Sequence, residues 1–159
     1  MRTIAVLALL GLTGCATLPT PTPYGNFADA RVEFTAKIAA DTVKQLVMLY
    51  PPASTQLSLR QATPDAFGTS LVSGLRGTGY GLAESKLEDG APRTRPTSPS
   101  KQAGATVAQQ PTGLELRYIL DQQASLYRVT VMVGNQSLTR AYVEQNNALL
   151  PAGSWVRRE

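Results

Sequence analysis

The stretch LELRYILDQQASLYRVTVMV, residues 114–133, decides the fold. Leu114, Leu116, Tyr118 and Leu120 alternate with Glu115, Arg117 and Asp121, and Tyr127, Val129, Val131 and Val133 repeat the pattern around Arg128 and Thr130. A period of two sends successive side chains to opposite faces, so each run predicts a strand with one buried and one solvated face. The intervening residues 122–125 predict a hairpin. Gly134-Asn135 supplies the next turn, residues 137–144 complete a three-stranded meander, and one more short strand is expected within residues 149–156.

Upstream the period changes. Val32, Ala36, Ala39, Val43, Leu46 and Val47 recur at helical spacing opposite Arg31, Glu33, Lys37, Asp41 and Lys44, which predicts an amphipathic helix over residues 29–49, stopped by Pro51 and Pro52. Leu57 and Leu59, alternating with Gln56, Ser58 and Arg60, predict a short strand. Thr63-Pro64 reads as an N-cap followed by proline at the first helical position, with Asp65 adding favourable charge. Phe67, Leu71 and Leu75 form the stripe of that second helix, Gly77 or Gly79 ends it, and residues 80–84 return as a strand. GTGYG, residues 77–81, therefore closes a helix and opens a strand, the reverse of the order in a phosphate-binding loop. The expected class is α+β, with two helices packed on a small, mainly antiparallel sheet.

Composition closes most catalytic chemistry. The 159 residues include no histidine and one cysteine, which excludes Ser/His/Asp and Cys/His catalysis, imidazole or thiolate metal sites and an internal disulfide. Glu88 and Asp89 fall in a low-complexity stretch, and Glu115, Asp121 and Glu144 are expected at outward strand positions, so no acid/base pair and no catalytic residue is assigned. The net charge of +4 is scattered, which predicts no direct nucleic-acid surface, and neither metal nor diffusible cofactor is expected.

The N-terminus is organised for export. Arg2 precedes a short apolar run over residues 4–12, too short to span a bilayer as a helix. Leu12-Thr13-Gly14-Cys15 resembles the bacterial lipobox, which implies a signal peptide over residues 1–14 and a mature chain starting at Cys15 with diacylglycerol and an N-acyl chain. Ala16 in the following position implies, by the same resemblance, an outer-membrane destination facing the periplasm. Residues 15–26 read as a lipidated tether with prolines at alternate positions. Residues 27–159 read as one domain interrupted at 85–112 by a proline-containing insertion too poor in apolar side chains to recover its ordering entropy.

Three segments carry a family resemblance: LYPPA at residues 49–53, TPDAFG at 63–68 running on to GYG at 79–81, and LPAGSWVRRE at 150–159. Together they resemble the TrbH family of conjugal-transfer lipoproteins. The resemblance implies a non-enzymatic outer-membrane component of a mating-pair-formation apparatus, a type IV secretion system that carries plasmid DNA between Gram-negative cells. It further implies other channel proteins as partners in a hetero-oligomer and a body like the small N0-type domains of secretins. With Cys15 acylated no thiol remains, so partners are expected to attach non-covalently. Trp155, Arg157 and Arg158 are candidate partner-binding residues, although Trp155, as the one tryptophan of a small fold, reads more readily as a core or edge tryptophan covering the sheet. A rival reading is an envelope lipoprotein that binds peptidoglycan or activates a cell-wall enzyme through Arg93, Arg95 and Trp155.

Overall fold

The computed structural model describes residues 23–84 and 113–159. Leu12, Thr13, Gly14 and Cys15 of the lipobox, and Glu88, Asp89, Arg93 and Arg95 of the 85–112 stretch, lie outside the described residues. The elements run β1 (Gly25–Asn26), α1 (Val32–Leu49), β2 (Gln56–Leu59), α2 (Ala66–Gly77), β3 (Gly81–Glu84), β4 (Leu114–Gln123), β5 (Leu126–Val133), β6 (Gln136–Gln145), β7 (Ala148–Pro151) and β8 (Val156–Arg158).

The α+β class holds: two helices lie on an eight-stranded sheet of order β3-β2-β4-β5-β6-β7. The meander is antiparallel, from Leu116↔Val133 to Gln123↔Leu126 and from Leu126↔Val143 to Val133↔Gln136. The smaller strands β1, β2 and β3 join it in parallel. Two long strands each carry two short ones on their outer edge. On β4, β2 covers residues 114–116 and β1 covers 119–120; on β6, β8 covers 137–139 and β7 covers 142–145.

The join between β2 and β1 is made by a side chain. Arg60 N donates to Leu116 O at 3.0 Å and Phe27 N to Leu120 O at 2.7 Å, leaving Tyr118 between them without a strand neighbour on this outer edge. The buried Gln61 amide fills the gap: its Oε1 accepts from Tyr118 N at 2.9 Å and its Nε2 donates to Tyr118 O at 3.2 Å. Both backbone groups are thereby satisfied where water is excluded.

Both helices pack on one face of the sheet, where Leu116, Tyr118, Leu120, Val129, Val131 and Leu138 meet Phe34, Ile38, Leu46, Phe67, Leu71 and Leu75 in a single core. A Cβ at Gly74 would stand 2.9 Å from Val43 Cγ2, so the glycine sets how closely the helices approach. Tyrosine hydroxyls then tie this layer to polar groups. Tyr118 donates to Asp65 Oδ2 at 2.7 Å, Tyr142 to Asp41 Oδ2 at 2.6 Å, Tyr127 to Glu144 Oε2 at 3.2 Å, and Tyr80 to Tyr50 O.

Several expectations need correction. The second helix is capped by Asp65, not Thr63: the Asp65 carboxylate accepts from Gly68 N at 2.9 Å while also holding the Tyr118 hydroxyl, a partner Thr63 lacks. α1 begins at Val32, because the preceding chain is drawn to the sheet by Phe27 and by Asn26 Oδ1, which accepts from Ala28 N. The expected last strand is two strands, β7 and β8, separated where Gly153 takes φ +115°. Glu144 faces the helices, in phase with Tyr142, because Arg31 at the start of α1 donates to it at 3.2 Å.

Substituting Gln61→Met leaves a donor and an acceptor of Tyr118 buried and unpaired, and should cost about 2–5 kcal/mol in urea unfolding. Burial, reinforced by the adjacent carboxylates, raises the hydroxyl pKa of Tyr118 (Asp65) and Tyr142 (Asp41) well above the ordinary value of 10.0; burial alone raises Tyr80. A raised folded-state pKa means that this stability is fully present below the unfolded value and lost as pH rises above it. Stability should therefore stay level up to about pH 10 and then fall by about 1.4 kcal/mol per pH unit for each such tyrosine. Urea titrations between neutral and alkaline pH check this, and Tyr118→Phe or Tyr142→Phe should each flatten the fall by about one proton.

Candidate functional site

Asp41, Asp65, Glu115, Asp121 and Glu144 are each held by structural partners. Asp41 receives Arg140 Nη1 at 2.8 Å as well as Tyr142, Asp65 caps α2, and Glu144 takes Arg31 and Tyr127. Glu115 meets Arg60 at 3.1 Å and Asp121 meets Arg128 at 2.9 Å. No group of three or more Asp, Glu or Cys side chains that could hold a metal occurs among the described residues.

The three segments that carry the resemblance are joints. In LYPPA, Tyr50 N closes α1 onto Leu46 O, the Tyr50 hydroxyl donates to Gln136 Oε1 at the start of β6, and Pro52 begins a short 3-10 turn. Tyr80 of GYG donates to Tyr50 O, so two of the segments bond to one another. In TPDAFG, Asp65 caps the helix and Phe67 stacks edge-on against Tyr118 with centroids 4.9 Å apart. A Cβ at Gly68 would lie 2.3 Å from the Tyr118 hydroxyl. In LPAGSWVRRE, Gly153 O accepts from Arg140 Nε at 3.0 Å and β8 pairs with β6.

What the joints leave free is the other face of the sheet. Along β4, β5 and β6 the side chains out of phase with the core are Arg117, Ile119, Asp121, Leu126, Arg128, Thr130, Met132, Ser137, Thr139, Ala141 and Val143, all exposed or half-buried. No helix among the described residues covers them. Leu126, Val143 and Leu150 stand side by side across β5, β6 and β7, and Ile119, Thr130, Thr139 and Val156 form a second row. Leu150 and Val156 are 45% and 52% exposed. A face of this mixed kind, apolar rows with an arginine rim, suits protein association rather than catalysis.

The structure separates the sequence-predicted contact residues. Arg158 lies on this face, in register with Ser137. Arg157 is out of phase with it and pairs with Glu159 at 3.2 Å. Trp155 is half-buried and packs against the core, as its core or edge reading expected. The apolar members Ile119, Leu126, Met132, Val143, Leu150 and Val156 were not singled out from sequence, although Ile119, Met132 and Val143 occupy strand positions where an outward polar side chain is the norm.

A hollow of about 470 Å³ opens beside the sheet edge between Tyr24, Phe27, Arg60, Pro64 and Arg117. Its walls belong to the β1 and β2 joint, with the Arg117 guanidinium 4.8 Å from the Tyr24 ring centroid. No helix among the described residues is long and apolar enough to cross a membrane.

No curated protein and no solved structure matches the chain. The sequence model of the family described as conjugal transfer protein TrbH matches residues 21–159, which takes in every described element together with the 85–112 stretch. With its joints formed by the very segments that carried the resemblance, the chain belongs to the TrbH family of conjugal transfer proteins.

Proposed function

We propose that this conjugal transfer protein is a lipid-anchored, non-catalytic part of a type IV secretion core complex, the mating-pair-formation channel. Cys15 carries diacylglycerol and an N-acyl chain at the outer membrane, residues 15–26 set the reach of the tether, and the α+β body binds channel proteins on the periplasmic side through its helix-free sheet face. The family match over residues 21–159 carries this reading. Three observations support it: the order of residues in the lipobox, the commitment of Asp41, Asp65, Glu115, Asp121 and Glu144 to structural bonds, and a sheet face with apolar rows that no described helix covers. The likeness to secretin N0-type domains belongs to the same reading, as one secretion-channel body contacting others.

Two or three acyl chains, at about 0.8 kcal/mol per buried methylene, hold a protein stably at a membrane without a spanning helix. Cys15→Ser should move the protein out of the membrane fraction and lower plasmid transfer while leaving the urea midpoint of the body unchanged. Unaltered fractionation and transfer would overturn the anchoring role. On the sheet face, Leu150→Asp with Val156→Asp should cost no more than about 1 kcal/mol each, since both side chains are half in water, yet reduce the channel proteins recovered with the tagged chain. Retention on purified peptidoglycan, with no channel protein recovered, would favour the cell-wall reading instead.

A further inference from the structure

Resting on that docking role, we infer that a basic cleft on the open face receives the carboxylates of an acidic segment of a partner protein. The cleft, about 370 Å³, is lined by Arg128, Thr130, Ser137, Thr139, Val156 and Arg158. The ladder explains how they meet. Thr139 of β6 stands between Thr130 of β5 and Val156 of β8, while Ser137 faces Arg158 and Arg128 precedes Thr130 on the same side of β5. Two guanidinium groups thus border a floor of three hydroxyls, two of which already touch, with Thr130 Oγ1 and Thr139 Oγ1 3.2 Å apart.

The arginines have donors to spare. Arg128 gives Nε and Nη2 to Asp121, at 3.2 and 2.9 Å, and its Nη1 makes no bond among the described residues. Arg158 makes no ion pair or hydrogen bond there, although the nearby Glu159 carboxylate is within reach of the sheet and goes to Arg157 and Gln136. No carboxylate lines the cleft itself. An arginine fork with free N–H groups binds carboxylate strongly and directionally, and the threonine and serine hydroxyls can donate to the same anion.

The surroundings select a protein carboxylate. Bases of a single strand need aromatic faces to stack on, and the cleft lining has none; Trp155, the nearest in sequence, packs against the core. The apolar neighbours of the cleft, Val156 within it and Ile119 in the same row, gain by burial against a peptide's side chains rather than against a nucleic-acid backbone.

The test uses the full chain purified in mild detergent and a fluorescein-labelled Glu-rich peptide, with its Gln counterpart and a single-stranded oligonucleotide of equal charge as comparisons, read by anisotropy. Saturable, salt-sensitive binding of the Glu peptide is expected, weakened about tenfold by Arg158→Glu and by Arg128→Glu, as reversing a charge opposite an acidic partner should do. Thr130→Val with Thr139→Val should weaken it several-fold with unchanged circular dichroism, which separates a lost contact from a lost fold. Equal affinity for the Gln peptide, indifference to both arginine variants, or tighter binding of the oligonucleotide would overturn the proposal. Tagged chain recovered from transfer-competent cells distinguishes the two levels. Channel proteins that stay with the arginine variants as they do with the wild type sink the cleft alone, whereas a wild-type chain that recovers no channel protein sinks the docking role beneath it.

Discussion

Gln61 puts a side-chain amide where a strand's backbone would otherwise run, and the rest of the molecule hangs on the residue it holds. Between the last bond of β2 and the first bond after β1, the outer edge of β4 has one unfilled place, and both backbone groups of Tyr118 are met there by Gln61. The same Tyr118 turns its ring under Phe67 and its hydroxyl into the Asp65 cap. Edge, core and helix start therefore converge on one tyrosine, and Gly68 is present because nothing larger fits beside its hydroxyl. A glutamine does this where a strand could not, since the chain must leave β2 here to build the loop that presents Asp65.

A second fastening at the far side follows the same logic. Asp41 of α1 takes both Arg140 and Tyr142 of β6, and Arg31 at the helix start spans to Glu144 while lying 4.0 Å over the Phe34 ring. Buried tyrosines that donate to carboxylates keep those carboxylates hydrogen-bonded at the edge of an apolar layer, where an unpaired charge would be costly. The polar chemistry of Asp41, Asp65 and Glu144 is thus taken up in holding the layers together.

Much of this was legible, and the illegible parts share a cause. The meander could be read because its periodicity is local, and Gly134 takes the positive φ of +60° that its two-residue turn demands. Asn146 and Asn147 signal the β6–β7 turn in the same way, at φ +50° and +61°, while the split of the final strand falls at Gly153, whose φ of +115° leaves no periodicity to read. Asp65 against Thr63 could not be settled locally, because the deciding partner, Tyr118, is 53 residues away in the chain. β1, two residues long, has no period to detect and exists only through β4. The candidate surface was the least visible part: the family segments mark joints, whereas the open face is marked only by apolar residues in the wrong phase, Ile119, Met132 and Val143.

The entry of the chain gives the open face a further meaning under the proposed anchor. Tyr24 lies over Arg117, an open-face side chain, immediately before Gly25–Asn26 run along β4. Under that proposal a tether leading into Tyr24 would join the body at its helix-free side, and from Cys15 to Pro23 even a fully extended chain spans at most about 30 Å. A docking face beside a short attachment point meets partners that are themselves held near the same membrane, and such confinement raises their effective concentration without any new contact. Individual contacts on that face can then be weak and still act together, which suits a surface made of thin apolar rows and a few unpaired guanidinium donors rather than one deep hydrophobic pocket.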